Sequence, residues 1–364
     1  MSDRNQLETI VKLAHAFGDN EYVVGGGGNV SVKDDRTIWV KPSGTTLAKL
    51  RPEQLVALDR QRLRQIYSLA PPADPQEREA LVQQTLVQAA WEDIKGRPSV
   101  ESPLHETFEY AFVVHTHPPA VNGMTCSLNG EHACRELFPE ALWLPYTDPG
   151  YTLCMRARRD MAAYAQQHGR QPNIVFIQNH GVFVAADTDS AVRALYSEIS
   201  ETMAEVYAAK DIATELAVGP KPSRAYSERV GELLRGLLGG EAECVIACGP
   251  FHVAAGPLTP DHIVYARSFP LFGDPTAEKL EEYRRRYGCC PRIIASEGAV
   301  FSCGVSNESA ALTLEMAQDG ALVAQLAAAF GGPRFLDEQA YTFIERWEAE
   351  CYRRKVAESG GGRA

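Results

Sequence analysis

Ala111-Phe112-Val113-Val114-His115-Thr116-His117 is an apolar run that closes on two histidines one residue apart. Alternate residues of a strand point to the same face, so an extended His-x-His sets two imidazoles side by side. A third histidine, His180, stands in Gln178-Asn179-His180-Gly181, directly after the apolar run Ile174–Ile177, and Glu101 lies upstream of the pair. Three imidazole nitrogens and one carboxylate oxygen suit a divalent ion that keeps a position open for substrate. A His-x-His pair alone is equally compatible with satisfied core or surface histidines. Its placement is what favours a site, because loops following strand ends are where ligands collect in α/β proteins.

The chain has 364 residues, 45% of them apolar, enough for one large or two ordinary domains with real cores. No stretch approaches the ~20 apolar residues of a membrane span. The segment Met1–Lys12 has no signal-peptide core, and a cytoplasmic location is the simplest expectation. Nine scattered cysteines without a CxxC pair suggest neither a disulfide framework nor a cysteine zinc site. A net charge of −11 repels nucleic acid and anionic membranes, so neither is expected as a partner, and small-molecule chemistry is favoured.

Periodicity predicts a helix over 3–17, a short strand over 22–24, a hairpin over 30–33 and 37–41, and a strand over 55–58. The proline-rich stretch 71–79 reads as a surface insertion, followed by a helix over 79–91. Further helices are expected over 103–110, 160–168 and 189–209, and a strand over 142–144. The pattern breaks at Val218-Gly219-Pro220-Lys221-Pro222. Beyond it come helices over 227–238, 276–287, 306–328 and 336–356, strands over 244–248, 292–295 and 299–303, and a loop over 255–262. These divide the chain into a catalytic domain over 1–218, a smaller α/β domain over 219–358 and a disordered glycine-rich tail over 359–364.

Two turns could hold an anion. Gly25–Asn29 places consecutive glycines between β-like segments, where backbone N–H groups can converge. Lys41-Pro42-Ser43-Gly44 adds a hydroxyl, a free amide and a cation, and Ser99 is a third candidate just before Glu101. Neither the Walker spacing nor GxGxxG is present, which disfavours nucleotides.

Taken together in order, Gly28-Asn29-Val30-Ser31, Lys41-Pro42-Ser43-Gly44, Ser99-Val100-Glu101, His115-Thr116-His117 and Asn179-His180-Gly181 resemble the class II aldolase/adducin family over residues 5–210. Glu101-Ser102-Pro103-Leu104-His105 and Gly256-Pro257-Leu258-Thr259-Pro260-Asp261-His262 are closer to the aldolase half of the rhamnulose-1-phosphate aldolase/dehydrogenase fusion proteins. The resemblance implies an α/β fold: three α/β/α layers around a central, mostly antiparallel sheet, with a smaller C-terminal α/β unit. It implies Zn2+ or another divalent metal held by His115, His117, His180 and Glu101. Glu101 would also be the catalytic base, and Tyr146, reaching in from a neighbouring subunit, the general acid. Gly28, Asn29, Ser43, Gly44 and Ser99 would bind the substrate or its phosphate. A homo-oligomer, a tetramer in most of the family, follows from the borrowed tyrosine.

The implied activity is that of a zinc-dependent class II aldolase, an aldehyde-lyase of carbohydrate metabolism. It would cleave a ketose, in particular a ketose 1-phosphate, by a retro-aldol reaction through a zinc-stabilised enediolate. Epimerases on this scaffold carry Asp at the position of Glu101, so the glutamate favours an aldolase. Val100 replaces a serine that aldolases of the family often have, which weakens the case for a phosphate. Decarboxylation or dehydration of a sugar or sugar acid, and a non-catalytic adducin-like interaction module, are the alternatives. The module would have lost the metal residues, which this chain retains.

Overall fold

The computed structural model of the chain describes residues 3–91 and 96–347, together with Tyr352, Lys355 and Glu358. The glycine-rich 359–364 and most of the expected helix beyond 347 lie outside the described residues. The chain divides into two compact units, 1–125 with 129–206, and 126–128 with 207–364. The division falls before the Gly/Pro break at 218–222. Tyr207 packs edge-on against Phe330, and Lys210 Nζ donates to Ala329 O, so residues 207–210 belong with the second unit.

The first unit contains α1 (Asp3–Ala16), β1 (Asn29–Lys33), β2 (Thr37–Val40), β3 (Val56–Asp59), α2 (Arg60–Leu63), α3 (Pro75–Ala89), α4 (Ser102–Thr107), β4 (Phe112–Thr116) and α5 (Pro119–Thr125). It continues through α6 (Gly130–Leu137), β5 (Leu142–Leu144), α7 (Tyr151–His168), β6 (Ile174–Ile177), β7 (Gly181–Ala186) and most of α8 (Asp189–Ala209). Its seven-stranded sheet has the order β3-β2-β1-β4-β7-β6-β5, antiparallel throughout except for the β5–β6 pair.

Strand alternation sorts the two faces of this sheet. Val113, Phe183, Ala185, Val175 and Ile177 pack with Leu104 and Phe108 and with Leu153, Cys154, Ala157 and Met161 of α7. On the other face Thr116 Oγ1 lies 2.8 Å from Tyr196 Oη of α8, and the Tyr196 ring stacks on Phe17 at the end of α1. The sheet therefore lies between a helical layer of α4 and α7 and one of α1 and α8. His115 shares the face of Val113, toward α4 and α7.

The second unit comprises α9 (Arg224–Leu238), β8 (Cys244–Cys248), α10 (Pro260–Ala266), β9 (Leu271–Phe272), α11 (Ala277–Tyr287), β10 (Ile293–Ala295), β11 (Val300–Gly304), α12 (Asn307–Ala327) and α13 (Glu338–Arg346). Its sheet runs β8-β11-β10-β9. Ile294, Phe301 and Cys303 face α9 and α11 through Leu234, Leu238, Leu280 and Tyr283. Ser302, on the opposite face, donates to Ala310 O of α12.

Several expected boundaries move for identifiable reasons. Pro75 does not interrupt a loop but starts α3, because Asp74 caps the helix by accepting from Gln76 and Glu77 N–H and proline is tolerated in the first turn. Thr259 and Pro260 likewise start α10 inside the stretch expected as a loop. Tyr22 ends a turn and residues 23–24 are irregular rather than a strand, although Val23 and Val24 are buried. The helix expected from 160 begins at Tyr151; its buried stripe of Leu153, Cys154, Ala157, Met161 and Tyr164 is interleaved with arginines.

Two features of the first unit generate direct tests. Gly181 opens β7 so close to β4 that an added Cβ would meet Thr116 O at 2.4 Å and His117 Cδ2 at 2.6 Å. Overpacking against fixed backbone is costly, so Gly181→Ala is expected to lower the unfolding free energy by about 2 kcal/mol or more in urea titrations. An unchanged midpoint would contradict this packing. Lys33 is buried on β1, and its Nζ donates to His105 O at 2.7 Å and Phe108 O at 2.6 Å.

Burial lowers the Lys33 pKa to about 7, with Glu106 opposing the shift and Arg60 and Arg64 adding to it. A base depressed in the folded state binds its proton more weakly there than when unfolded. Stability conferred at this position therefore rises as pH climbs from about 7 toward the unfolded value of 10.5. Relative to Lys33→Met, the wild-type chain is expected to gain about 2 kcal/mol between pH 7 and 9. A pH-independent difference would show that Lys33 keeps its full charge in the fold.

Candidate metal centre

His115 occupies the end of β4, paired with Asn29 on one side and Phe183 on the other. Gly28, with φ of 67°, turns the chain into β1 where an added Cβ would lie 2.8 Å from His115 O, so only glycine fits this approach. His117 follows the strand, and its N–H donates to Tyr22 O at 2.9 Å. His180 sits in the tight connection between β6 and β7. Asn179 takes a left-handed conformation there, with φ of 55°, and donates its N–H to Thr125 O at 3.0 Å. Asparagine tolerates that region better than most residues.

These backbone constraints bring the three rings together, with one ring nitrogen from each within 4.8 Å of the others. His115 Nε2 lies 2.9 Å from His117 Nε2 and 3.2 Å from His180 Nε2. His115 Nδ1 is 3.0 Å from Val182 O, and a carbonyl only accepts, so the Nδ1–H tautomer is fixed and the Nε2 lone pair faces the cluster. Phe183 stacks on the His115 ring with centroids 3.9 Å apart, holding its plane. Burial, reinforced by the neighbouring imidazoles, pushes His115 well below the usual histidine range despite the opposing Glu101. A neutral imidazole is the form that ligates a metal.

Glu101 stands at the N-cap position of α4, and its Oε1 lies 3.5 Å from both His115 Nε2 and His180 Nε2. Its other oxygen, Oε2, accepts from Asn29 Nδ2. Burial works against ionisation of Glu101, but positive charge at His115, His180 and His117 outweighs it and holds the carboxyl well below the usual carboxylate range, an effect that a cation among neutral imidazoles would equally supply. A cation among these nitrogens and the carboxylate would relieve the repulsion of any converging lone pairs. The donor set therefore fits a divalent ion, with three nitrogens and Glu101 as the residues that would hold it.

Of the expected anion-binding residues, Asn29 and Ser99 bond Glu101 and Gly28 packs against His115 O. The Glu101 N–H donates to Ser99 Oγ at 3.2 Å. Ser43 N–H donates to Arg97 O at 2.9 Å, which seats the Lys41–Gly44 turn beside the strand of chain leading to Ser99. Gly44 has φ of 84°, and buried Lys41 closes the turn by donating to Thr45 O at 2.6 Å. Tyr146 lies in the β5–α7 loop, where its hydroxyl donates to Asp148 Oδ1 at 3.3 Å, and it is not part of the histidine cluster.

His105 stands one helical turn beyond Glu101. It is fully buried, its Nδ1 lies 2.9 Å from Ser31 Oγ, and its ring meets Phe183 edge-on at 5.3 Å. Burial lowers its pKa to about 3, so it is neutral at ordinary pH. The signal was present in the sequence, since Ser31 and His105 each follow a motif residue, Asn29 and Glu101, by an even strand step or one helical turn.

Residues 8–208 match the family described as Class II Aldolase and Adducin N-terminal domain. A Bacillus subtilis protein named uncharacterized oxidoreductase YuxG is 24% identical over 312 residues, covering 76% of this chain and 44% of that one. L-fuculose phosphate aldolase of Methanococcus vannielii is 40% identical over 53 residues, 15% of this chain and 29% of the enzyme. The 3-oxo-tetronate 4-phosphate decarboxylase of Haemophilus influenzae is 43% identical over 60 residues, 16% of this chain and 29% of the enzyme. The matches thus span less than half the length of each relative. A match across most of this chain but only part of a longer protein is consistent with the likeness to one half of a fusion protein. The matched family residues run through the whole unit that carries the three histidines and Glu101, and the chain belongs to the class II aldolase and adducin N-terminal domain family.

Proposed function

We propose that the chain is a metal-dependent aldehyde-lyase that cleaves a ketose, in particular a ketose 1-phosphate, by a retro-aldol reaction. The observation that carries the reading is Glu101 Oε1 at 3.5 Å from two of three converging histidine nitrogens, with its second oxygen bound by Asn29. A carboxylate so placed is both ionised and beside the position where substrate oxygens would sit. When bound, Zn2+ or another divalent ion supplies Lewis-acid stabilisation of the negative charge that develops as a carbon–carbon bond next to a carbonyl breaks.

Glu101, kept ionised, takes the proton from the hydroxyl on the carbon that becomes the aldehyde. Asn29 holds Oε2, so Oε1 is the oxygen that would ligate the ion in the absence of substrate and would be released to accept the proton once substrate oxygens take its place. The turns at Gly28, Ser43–Gly44 and Ser99 present backbone N–H and hydroxyl groups that would hold the substrate's phosphate or terminal hydroxyl. Tyr146, contributed from a neighbouring copy in a homo-oligomer, would donate a proton to the leaving group. Similarity to an L-fuculose phosphate aldolase supports the aldol reading. Similarity to a 3-oxo-tetronate 4-phosphate decarboxylase, together with Val100 at the position of a missing hydroxyl, supports decarboxylation of a sugar acid as a second reading.

The test is a screen of phosphorylated and free ketoses with zinc-loaded protein, scored for dihydroxyacetone phosphate or glycolaldehyde. Aldehyde release that disappears on metal removal and returns with zinc is the expected result. Carbon dioxide release from sugar acids without any aldol cleavage would replace the first reading by the second. Glu101→Gln is expected to lower kcat by about 100-fold or more, the usual scale of a lost general base. Unchanged turnover in that variant would remove Glu101 from its assigned role.

A further inference from the structure

The β1 strand faces α4 with every second residue polar, an arrangement that strand alternation makes one continuous ladder. Asn29 Nδ2 donates to Glu101 Oε2, Ser31 Oγ lies 2.9 Å from His105 Nδ1, and Lys33 Nζ donates to His105 O at 2.7 Å and Phe108 O at 2.6 Å. All three side chains are buried, Lys33 to 4% exposure and Ser31 to 0%. Helix α4 has six residues, too short to hold its own geometry, and its last carbonyls lack intrahelical donors. Lys33 supplies such donors.

From the other side, Glu106 of α4, its side chain fully buried, accepts from Arg60 Nε at 2.9 Å and Arg64 Nε at 2.8 Å. Phe183 completes the linkage, since the ring that meets His105 edge-on is the one that stacks on His115. An apolar residue of similar length at position 33 would fill the same space without desolvating an ammonium group. A buried lysine at that place serves orientation rather than packing alone.

We propose that Ser31, Lys33 and His105 are positioning residues, which hold α4 so that the Glu101 carboxylate meets the three histidine nitrogens. The proposal rests on the reading of Glu101 as a metal ligand and base. The histidines come from β4 and the β6–β7 turn, so loss of the ladder displaces the carboxylate and leaves the imidazoles in place. Residues that orient a metal ligand are worth about 10- to 100-fold in metal affinity or activity when removed.

The experiment measures zinc affinity by competition with a chromophoric chelator for wild type, Ser31→Ala, Ser31→Thr, Lys33→Met and Glu101→Ala. Ser31→Ala and Lys33→Met are expected to weaken zinc binding about 10-fold, and Ser31→Thr, which keeps the hydroxyl, to restore it. In the Glu101→Ala background the same two substitutions are expected to have no further effect, because the group they orient is gone. Wild-type affinity in the single variants, or equal weakening in the Glu101→Ala background, overturns the proposal. Amide exchange reads the ladder independently of zinc. Faster exchange at residues 102–108 with unchanged protection of β4 supports it, and unchanged exchange at 102–108 counts against it. Absence of zinc binding in the wild type would instead remove the metal reading of Glu101, a failure that the exchange data separate from failure of the ladder.

Discussion

Three imidazole nitrogens within 4.8 Å of one another, with a carboxylate oxygen 3.5 Å from two of them, form the constraint around which the first unit is arranged. Ring nitrogens packed that closely are accommodated by a cation between them or by an N–H of a neighbouring ring donated to His115 Nε2. The backbone devices that produce the arrangement are local: the left-handed Asn179, Gly181 packed onto Thr116 O, and Gly28 packed onto His115 O. The two glycines admit no Cβ without a clash, the left-handed Asn179 favours Asn, Asp or Gly, and each borders a histidine. Sheet order follows from the same need, because His115 and His180 meet only when β4 and β7 are neighbours.

The sequence made much of this legible. The helices over 189–209 and 276–287 follow from periodicity because their apolar faces are unambiguous, and the His-x-His strand and the short strands over 142–144 and 174–177 follow from bounded apolar runs. Strand β7 was not assigned, although it lies at the centre of the sheet between β4 and β6. Its run Gly181–Ala186 is buried on both faces and shows no alternation, so periodicity has nothing to report. Helix starts at Pro75 and Pro260 were missed because proline was read as a break, whereas a capping Asp74 or Thr259 makes it a start.

At the candidate site, residue types and order pointed to the three histidines and Glu101, but the partners of those residues were invisible in one dimension. That Val182 O fixes the His115 tautomer depends on the register of β4 against β7. That Asn29 orients Glu101 depends on α4 crossing the end of β1. Tyr146 illustrates the limit in the other direction. Its expected role belongs to an assembly of copies, and within one chain it bonds Asp148. With a net charge of −11, an anionic substrate would depend on local backbone donors rather than on a long-range positive field.

The central claim is that His115, His117 and His180, with Glu101 beside them, hold one divalent ion. The most direct measurement is anomalous diffraction at the zinc edge from crystals of the protein supplied with one equivalent of zinc. The account predicts a single strong peak bounded by the three histidine Nε2 atoms and Glu101 Oε1. A peak elsewhere, or no peak among these residues at full zinc occupancy of the solution, would contradict it.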